Sequence, residues 1–328
     1  MEKVLVIGGN GLLGHHTADL LLKKGYAVSS LALPRTATQS DVPEGVKAHW
    51  GNLDEMSDEE LCDLFQDKYA IFWAIGADER TIPKAPSASF FYEANVRPTQ
   101  RAARLAREAG VQKFVLYGSY TAEFGELWPD LGYRGRNGYP RTRLLQEEVA
   151  CMEGHGQMDV MTLRLPYIFG LVDGQRPLWQ FVLDQVSNDE VSYVLPGSTS
   201  SVTVKQVAEA AVGAMEHGAN EAKYPINSHN LTYKELYDLA CEAIGKDPAS
   251  VVVVPLEAVL SQYESVDKQL AEAGLEHGVL VGDTARFQAR DAVSALDGCA
   301  ELQMSDDDVV AAIRETLKWC VDNPVTAN

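Results

Sequence analysis

Apolar and polar positions divide the first half of the chain into short apolar runs separated by amphipathic stretches. Val4-Leu5-Val6-Ile7 is a run of strand length. The helical pattern after it continues through Leu20-Leu21-Leu22 to Lys23-Lys24-Gly25, residues suited to a helix C-terminus. Further strands are predicted at Tyr26–Leu33, Lys47–Trp50, Tyr69–Ala74, Val111–Tyr117 and Val160–Leu165. Helices are predicted from the acidic stretch Asp54–Glu60 to about Phe65, from Ser87 to Gly110, and from about Tyr139 to Met152. Pro98 lacks the amide hydrogen that a helix interior needs, so a kink is expected near Ala94-Asn95. Glu126–Gly138 reads as a loop bearing glycines and arginines.

Strand and helix recur with a period of roughly thirty residues, which predicts an α/β fold with a doubly wound parallel sheet. After Pro166 the pattern loosens. A strand at Ser192–Val194, helices near 204–217 and 232–245, and a strand at Val251–Val254 are expected there, with helical or mixed stretches at Lys268–Gly274, Asp283–Ala295 and Asp306–Asp322. The expected division is a sheet domain over 1–166, with a return contribution around 192–217, and a smaller lobe over 167–328 above the C-terminal edge of the sheet.

The turn after the first strand changes the picture most. Gly8-Gly9-Asn10-Gly11-Leu12-Leu13-Gly14 places glycines at positions 8, 11 and 14 between a strand and a helix. The first permits a tight turn, the second lets backbone approach a pyrophosphate, and the third lets helix and strand pack closely. The helix N-terminus that follows attracts phosphate. Strand, turn, helix and second strand together are the context of a Rossmann-type dinucleotide site, with Gly8, Asn10, Gly11, Leu12 and Gly14 as its first contacts. The end of the second strand carries no acid for a ribose 2′-hydroxyl. Arg35 stands there instead and favours the 2′-phosphate of NADP, with NAD as the alternative. Asn52 and Leu53 after the third strand, and Ile75-Gly76-Ala77 after the fourth, are the remaining cofactor candidates on the sheet.

Hydrophobic content of 46% and charged content of 23% are ordinary for a soluble globular protein. The net charge of −19 repels nucleic acid and anionic membranes. No apolar run is long enough to span a bilayer, and no signal peptide is expected. Five cysteines without metal or CxxC spacing read as reduced thiols in a cytoplasmic protein, and no metal site is expected. His15 and His16 read as packing or surface residues.

Ligands of open α/β sheets lie at the carboxyl ends of the strands. Polar residues there include Asn95, Ser119-Tyr120-Thr121, Tyr139 with Arg143, and Arg164-Leu165-Pro166-Tyr167. Tyr139 and Arg143 are spaced i, i+4 and share one helix face. A permanent cation beside a phenol favours its phenolate and lowers its pKa. Such a pair can exchange a proton with a carbonyl or alcohol while a nicotinamide exchanges hydride.

These residues resemble the extended short-chain dehydrogenase/reductases, the group that includes nucleotide-sugar epimerases and dehydratases. Asn95-Val96-Arg97-Pro98-Thr99 resembles Asn-Val-x-Gly-Thr, and Phe114–Gly125 resembles the strand leading to the catalytic hydroxyl. Asn137-Gly138-Tyr139-Pro140-Arg141-Thr142-Arg143 resembles Asn-Pro-Tyr-Gly-x-Ser-Lys. Arg164–Gly170 resembles the turn beside the nicotinamide, adding Pro166 and Ile168 as cofactor candidates. The resemblance implies that Tyr139 is the acid/base and that Arg143 replaces a lysine that contacts the nicotinamide ribose. It also implies that Tyr120, or Thr121 after a small backbone shift, supplies the hydroxyl, with Asn95 in the same set.

The Asp-Glu pair of sugar-nucleotide dehydratases is absent, since Thr121 and Ala122 stand there. The expected reaction is NADPH-linked reduction of a ketone or aldehyde, or the reverse. The alternatives are a nucleotide-sugar epimerase, and a non-catalytic dinucleotide-binding sensor or scaffold. Tyr120, Glu123, Trp128, Tyr167 and Phe169 are the substrate candidates, with Tyr133 in the same apolar wall. Arg134 and Arg136 are candidates to hold a carboxylate or phosphate. The resemblance also implies a homodimer through the helices near 87–109 and 139–152.

Overall fold

The computed structural model describes residues 1–34, 41–296 and 299–324. Arg35 lies outside them. β1 (Lys3–Ile7) runs into Gly8, whose φ of +89° makes the tight turn, and α1 (Leu12–Lys23) follows. β2 (Ala27–Ala32) and β3 (Lys47–Trp50) come next. α2 (Asp58–Phe65) begins later than the acidic run suggests. Ser57 and Glu60 close a reciprocal capping box there, which satisfies the amides of the first turn.

β4 (Ala70–Trp73) leads to α3 (Ser87–Phe91), a π-helical turn over Tyr92–Val96, and α4 (Arg97–Glu108). The π turn sits where Pro98 removes a helical hydrogen bond, so the expected kink takes that form. After β5 (Lys113–Tyr117), Ser119 caps α5 (Tyr120–Leu127), a helix within the stretch that resembled a strand. The predicted loop 126–138 also contains α6 (Tyr133–Arg136) before α7 (Gly138–Gly154).

β6 (Asp159–Arg164), β7 (Tyr167–Phe169), α8 (Gln180–Asn188) and β8 (Ser192–Val194) lead to β9 (Ser198–Thr203) and α9 (Val204–His217). Then come β10 (Lys223–Pro225), β11 (His229–Thr232), α10 (Tyr233–Ile244) and β12 (Val251–Val253). The chain ends with α11 (Leu256–Glu272), α12 (Val281–Gln288), β13 (Asp291–Ala292) and α13 (Val309–Asp322).

Seven strands form one sheet in the order β10-β6-β5-β4-β1-β2-β3, with every pairing parallel. Side chains alternate between its faces, so each strand feeds two cores. Val4, Val6, Phe72 and Val115 join Leu21 of α1 and Val207 of α9 on one face. Leu5, Ile7, Ile71, Trp73 and Phe114 join Leu61 of α2 and Leu105 of α4 on the other. Burial on both faces explains why these strands read as continuous apolar runs. The strand order reverses between β1 and β4, which opens a crevice at their carboxyl ends. Outside this sheet β9 pairs with β7, β11 and β13, and β8 pairs with β12, while β10 (Lys223–Pro225), beyond the expected return of 192–217, is the main sheet's edge strand.

Candidate active site

A cavity of about 410 Å³ lies at that crevice, lined by Gly8, Asn10, Gly11, Asn52, Leu53, Ile75 and Gly76 among the predicted residues. Leu31–Leu33, Asp54, Ala94 and Pro98 complete much of its wall. The three motif glycines divide by role. A Cβ on Gly14 would lie 2.2 Å from Gly8 O, so this glycine permits the close approach of α1 to the turn. A Cβ on Gly8 would meet Ile75 Cγ2 at 2.6 Å. One on Gly11 would meet only Gly8 O, at 3.3 Å, and would otherwise stand in the cavity. Gly11 is the N-cap of α1 and offers no side-chain cap, so the helix N-terminus opens on the cavity. That cradle fits a dinucleotide pyrophosphate. Leu12 follows Gly11 as the first residue of α1 and is half-buried.

Tyr139 is buried, 3% exposed, and its partner Arg143 adjoins the cavity: a Cβ on Gly76 would lie 3.6 Å from Arg143 Nη1. Arg143 Nε donates to the Tyr139 oxygen at 3.0 Å, and the Ser119 hydroxyl bonds the same group. Ser119 Oγ lies 2.9 Å from Thr121 Oγ1 and accepts from Thr121 N at 3.2 Å. Burial pushes the Tyr139 phenol above its ordinary value. The Arg143 guanidinium pulls back only part of this rise, and Glu79 adds to it. Arg143 lowers the phenol as expected, but desolvation outweighs the cation, so the net shift is upward. A phenol protonated at neutral pH, facing a cation and a hydroxyl, is equipped to donate a proton and to hold the phenolate left behind.

Three catalytic expectations need correction. The Tyr120 hydroxyl is bonded to Thr199, not to the Tyr139 phenol. It accepts from Thr199 Oγ1 at 3.4 Å, and the Tyr120 ring packs on Phe124, Tyr167 and Phe287. Thr121 stands behind Ser119 rather than beside the phenol, so Ser119 is the hydroxyl that sequence reasoning missed. Its signal was the N-cap of a helix. Asn95 is bonded to backbone at both ends of its amide: its Oδ1 accepts from Ala77 N at 2.8 Å and its Nδ2 donates to Ala77 O at 3.0 Å. It shapes the loop after β4 and so positions Gly76 and Ala77.

The substrate candidates also divide. Phe169 is fully buried and stacks on Trp179 at 4.4 Å, so it belongs to the lobe's core. Glu123 is buried, with Oε2 accepting from Ser294 Oγ at 2.8 Å, and burial raises its carboxyl. Trp128, Tyr133 and Phe287 form one aromatic group with Tyr120, and Tyr139 belongs to the same cluster. Tyr167 borders it half-buried, its phenol pushed up to about 12 by burial. Pro166 is buried in the turn after β6, and Ile168 packs on the edge of the sheet core.

Arg134 is exposed, whereas Arg136 is committed to a carboxylate. Its Nε and Nη2 both donate to Asp283, at 3.1 and 2.5 Å. Arg286 pairs with Asp283 and Glu264, Arg290 with Asp130, and Arg80 with Asp78. Among the described residues no His, Cys, Asp and Glu cluster could hold a metal, and no helix is long and apolar enough to cross a membrane.

Comparison with known proteins agrees with this geometry. The family model described as NAD dependent epimerase/dehydratase family matches residues 4–227. Mouse (Mus musculus) sterol-4-alpha-carboxylate 3-dehydrogenase, decarboxylating, is 25% identical over 246 residues, which are 71% of this chain and 65% of that enzyme. The chain thus spans somewhat under two thirds of that relative's length. The crystal structure of gox2253 superimposes with a TM-score of 0.77 at 21% identity, covering 98% of both chains. DesIV, the dTDP-glucose 4,6-dehydratase of Streptomyces venezuelae, solved with NAD and TYD bound, gives 0.68 at 17% identity. The match covers 98% of this chain and 97% of DesIV.

Proposed function

The chain belongs to the NAD dependent epimerase/dehydratase family, and we propose that within it this member is a reductase that moves hydride between NADPH and a small ketone or aldehyde, or runs the reverse. The observation that carries the reading is the Tyr139 phenol, buried, raised above its ordinary value and bonded by Arg143 Nε at 3.0 Å. A bound nicotinamide supplies the hydride, and Gly8, Gly11 and Gly76 would line its dinucleotide. Tyr139 donates the proton to the carbonyl oxygen. Arg143 stabilises the resulting phenolate, Ser119 orients the acceptor, and Thr121 orients Ser119.

The epimerase alternative needs a site for a nucleoside diphosphate, and three arginines around Asp283 and Asp130 bear on that. Arg136, Arg286 and Arg290 each sit on a carboxylate, which favours an uncharged carbonyl beside the aromatic group over a diphosphate. The same reading sets the protein in the cytoplasm as a homodimer, with α4 and α7 at the shared face.

The test is NADPH oxidation against a panel of aliphatic, aromatic and cyclic carbonyls. One or more should be reduced, and Tyr139→Phe should lower that rate by about 10²–10⁴-fold while leaving NADPH binding intact. An unchanged rate in Tyr139→Phe would remove the phenol from the chemistry. Co-purified NAD with protection by a nucleoside diphosphate would move the assignment to epimerisation.

A further inference from the structure

The helix face that carries Tyr139 and Arg143 carries a third polar residue, Gln146, three positions beyond Arg143 on α7. Gln146 is fully buried, where an amide requires partners for both its ends. It has them. Its Oε1 accepts from Arg143 Nη1 at 2.7 Å, and its Nε2 donates to Thr99 Oγ1 at 2.8 Å. Thr99, on α4 and also fully buried, donates to Asn95 O at 2.7 Å within the π turn. An unbroken chain of hydrogen bonds thus runs from the Tyr139 phenol through Arg143, Gln146 and Thr99 to the backbone beside Asn95.

Arg143 is consequently held at two points, Nε on the phenol and Nη1 on the amide. Nη1 also reaches Tyr117 O at 3.5 Å, a weaker contact. An arginine stem has several free torsions, and its planar fork delivers an N–H to one target only if a second donor is anchored. A lysine ammonium carries its three N–H donors on one atom at the end of the stem, so it needs no such fork to be anchored. We propose that Gln146 is the positioning residue that makes an arginine serviceable at 143, by taking Nη1 so that Nε stays on the Tyr139 oxygen. Thr99 keeps the Gln146 amide the right way round, presenting its carbonyl rather than its NH₂ to the guanidinium. This rests on Tyr139 being the proton-carrying group of the proposed reaction.

The experiment reads Arg143 and Tyr139 without needing turnover. In ¹⁵N-labelled full-length protein the Arg143 Nε–H resonance is assigned by its absence in Arg143→Lys, and its exchange with water is measured. Tyrosinate absorbance is followed from about pH 10 upward in each protein and its Tyr139→Phe counterpart, which isolates the Tyr139 phenol. Gln146→Met keeps the volume and removes the acceptor; Gln146→Glu keeps an acceptor. The proposal expects Nε–H exchange at least about tenfold faster in Gln146→Met, with less Tyr139 ionised, and slow exchange retained in Gln146→Glu.

Equal loss of protection in both variants would point to packing and overturn it. So would a lowered melting temperature in Gln146→Met with both signals unchanged. Failure of Tyr139→Phe to abolish carbonyl reduction would sink the reductase reading and leave these two signals as they stand.

Discussion

The three motif glycines should respond differently to a single added methyl, and the difference separates fold from ligand. At Gly14 the added Cβ falls 2.2 Å from Gly8 O, 2.8 Å from Gly8 C and 3.0 Å from Gly9 Cα. All three atoms are backbone of the turn. Restoring an ordinary contact of about 3.5 Å means parting α1 from the turn by about 1.3 Å, against packing on both sides. Overpacking of that kind costs about 3 kcal/mol or more. At about 2.1 cal/mol/K of unfolding entropy per residue, the loss is a fall of roughly 4 °C or more in melting temperature, or no soluble protein.

At Gly11 the backbone is extended, φ −85° and ψ 166°, which any residue adopts, and the nearest atom is Gly8 O at 3.3 Å. Alanine there loses about 0.5–1 kcal/mol as an N-cap relative to glycine. It regains about 0.4–1 kcal/mol from a less free unfolded chain. The two nearly cancel, so Gly11→Ala should melt within about 2 °C of wild type. Its methyl stands where the pyrophosphate must approach, and NADPH and NADH affinity should fall about a hundredfold, or about 2.7 kcal/mol. Calorimetric titration of both dinucleotides beside a melting curve makes the measurement. Wild-type affinity in Gly11→Ala would refute the phosphate path across the turn. A wild-type melting temperature in Gly14→Ala would refute the packing argument.

Other consequences follow from the same contacts. Because burial raises the Tyr139 phenol, the proton donor persists as pH climbs, so the reduction rate should hold through neutral pH and decline only above about pH 10. A loss of rate between pH 7 and 9, assigned to Tyr139 by comparison with Tyr139→Phe, would show the opposite sign. Glu147 is fully buried and grips Arg164 through both oxygens, at 3.0 and 2.8 Å. Glu147→Leu leaves Arg164 with Glu126 alone and should destabilise by about 3 kcal/mol in chemical denaturation; a change under about 1 kcal/mol would mean that Glu126 suffices. Arg35 lies outside the described residues, and the expectation from the sequence is that Arg35→Ala weakens NADPH binding at least about tenfold and leaves NADH unchanged. Equal effects on the two cofactors would end the case for a 2′-phosphate contact.

The sheet was legible because its strands are buried on both faces, which forces continuous apolar runs such as Ile71-Phe72-Trp73. The glycine turn was legible because both its neighbours were. β9 was not, since its sequence Ser-Thr-Ser-Ser-Val-Thr looks like a loop. Each hydroxyl there finds a partner far along the chain: Ser198 on Asp291, Ser201 on His229 O, Thr203 on Asp307. A polar strand can be fully buried only when such partners exist, and no local pattern announces them. Ser119 escaped for a different reason. Matching by count along the chain pointed to Tyr120, whereas the turn from β5 into α5 makes Ser119 the cap and aims its hydroxyl at the phenol.

The charges of the second lobe were legible only as a total, yet the total explains their arrangement. With 47 acidic against 28 basic residues, an arginine that folds into a cleft meets a carboxylate more readily than it stays free. Asp283 shows the result. Only 3% of its side chain is exposed, and it accepts from Arg136, Arg286 and Asn137. A diphosphate entering there would have to displace a buried carboxylate from two guanidinium groups, giving up charge-assisted hydrogen bonds before gaining its own. An uncharged carbonyl carries no such requirement. It needs only the aromatic group around Tyr120 and Phe287, the proton on Tyr139 and the charge on Arg143. Charge composition therefore bears on the substrate as well, through the pairing it imposes on Arg136, Arg286 and Arg290.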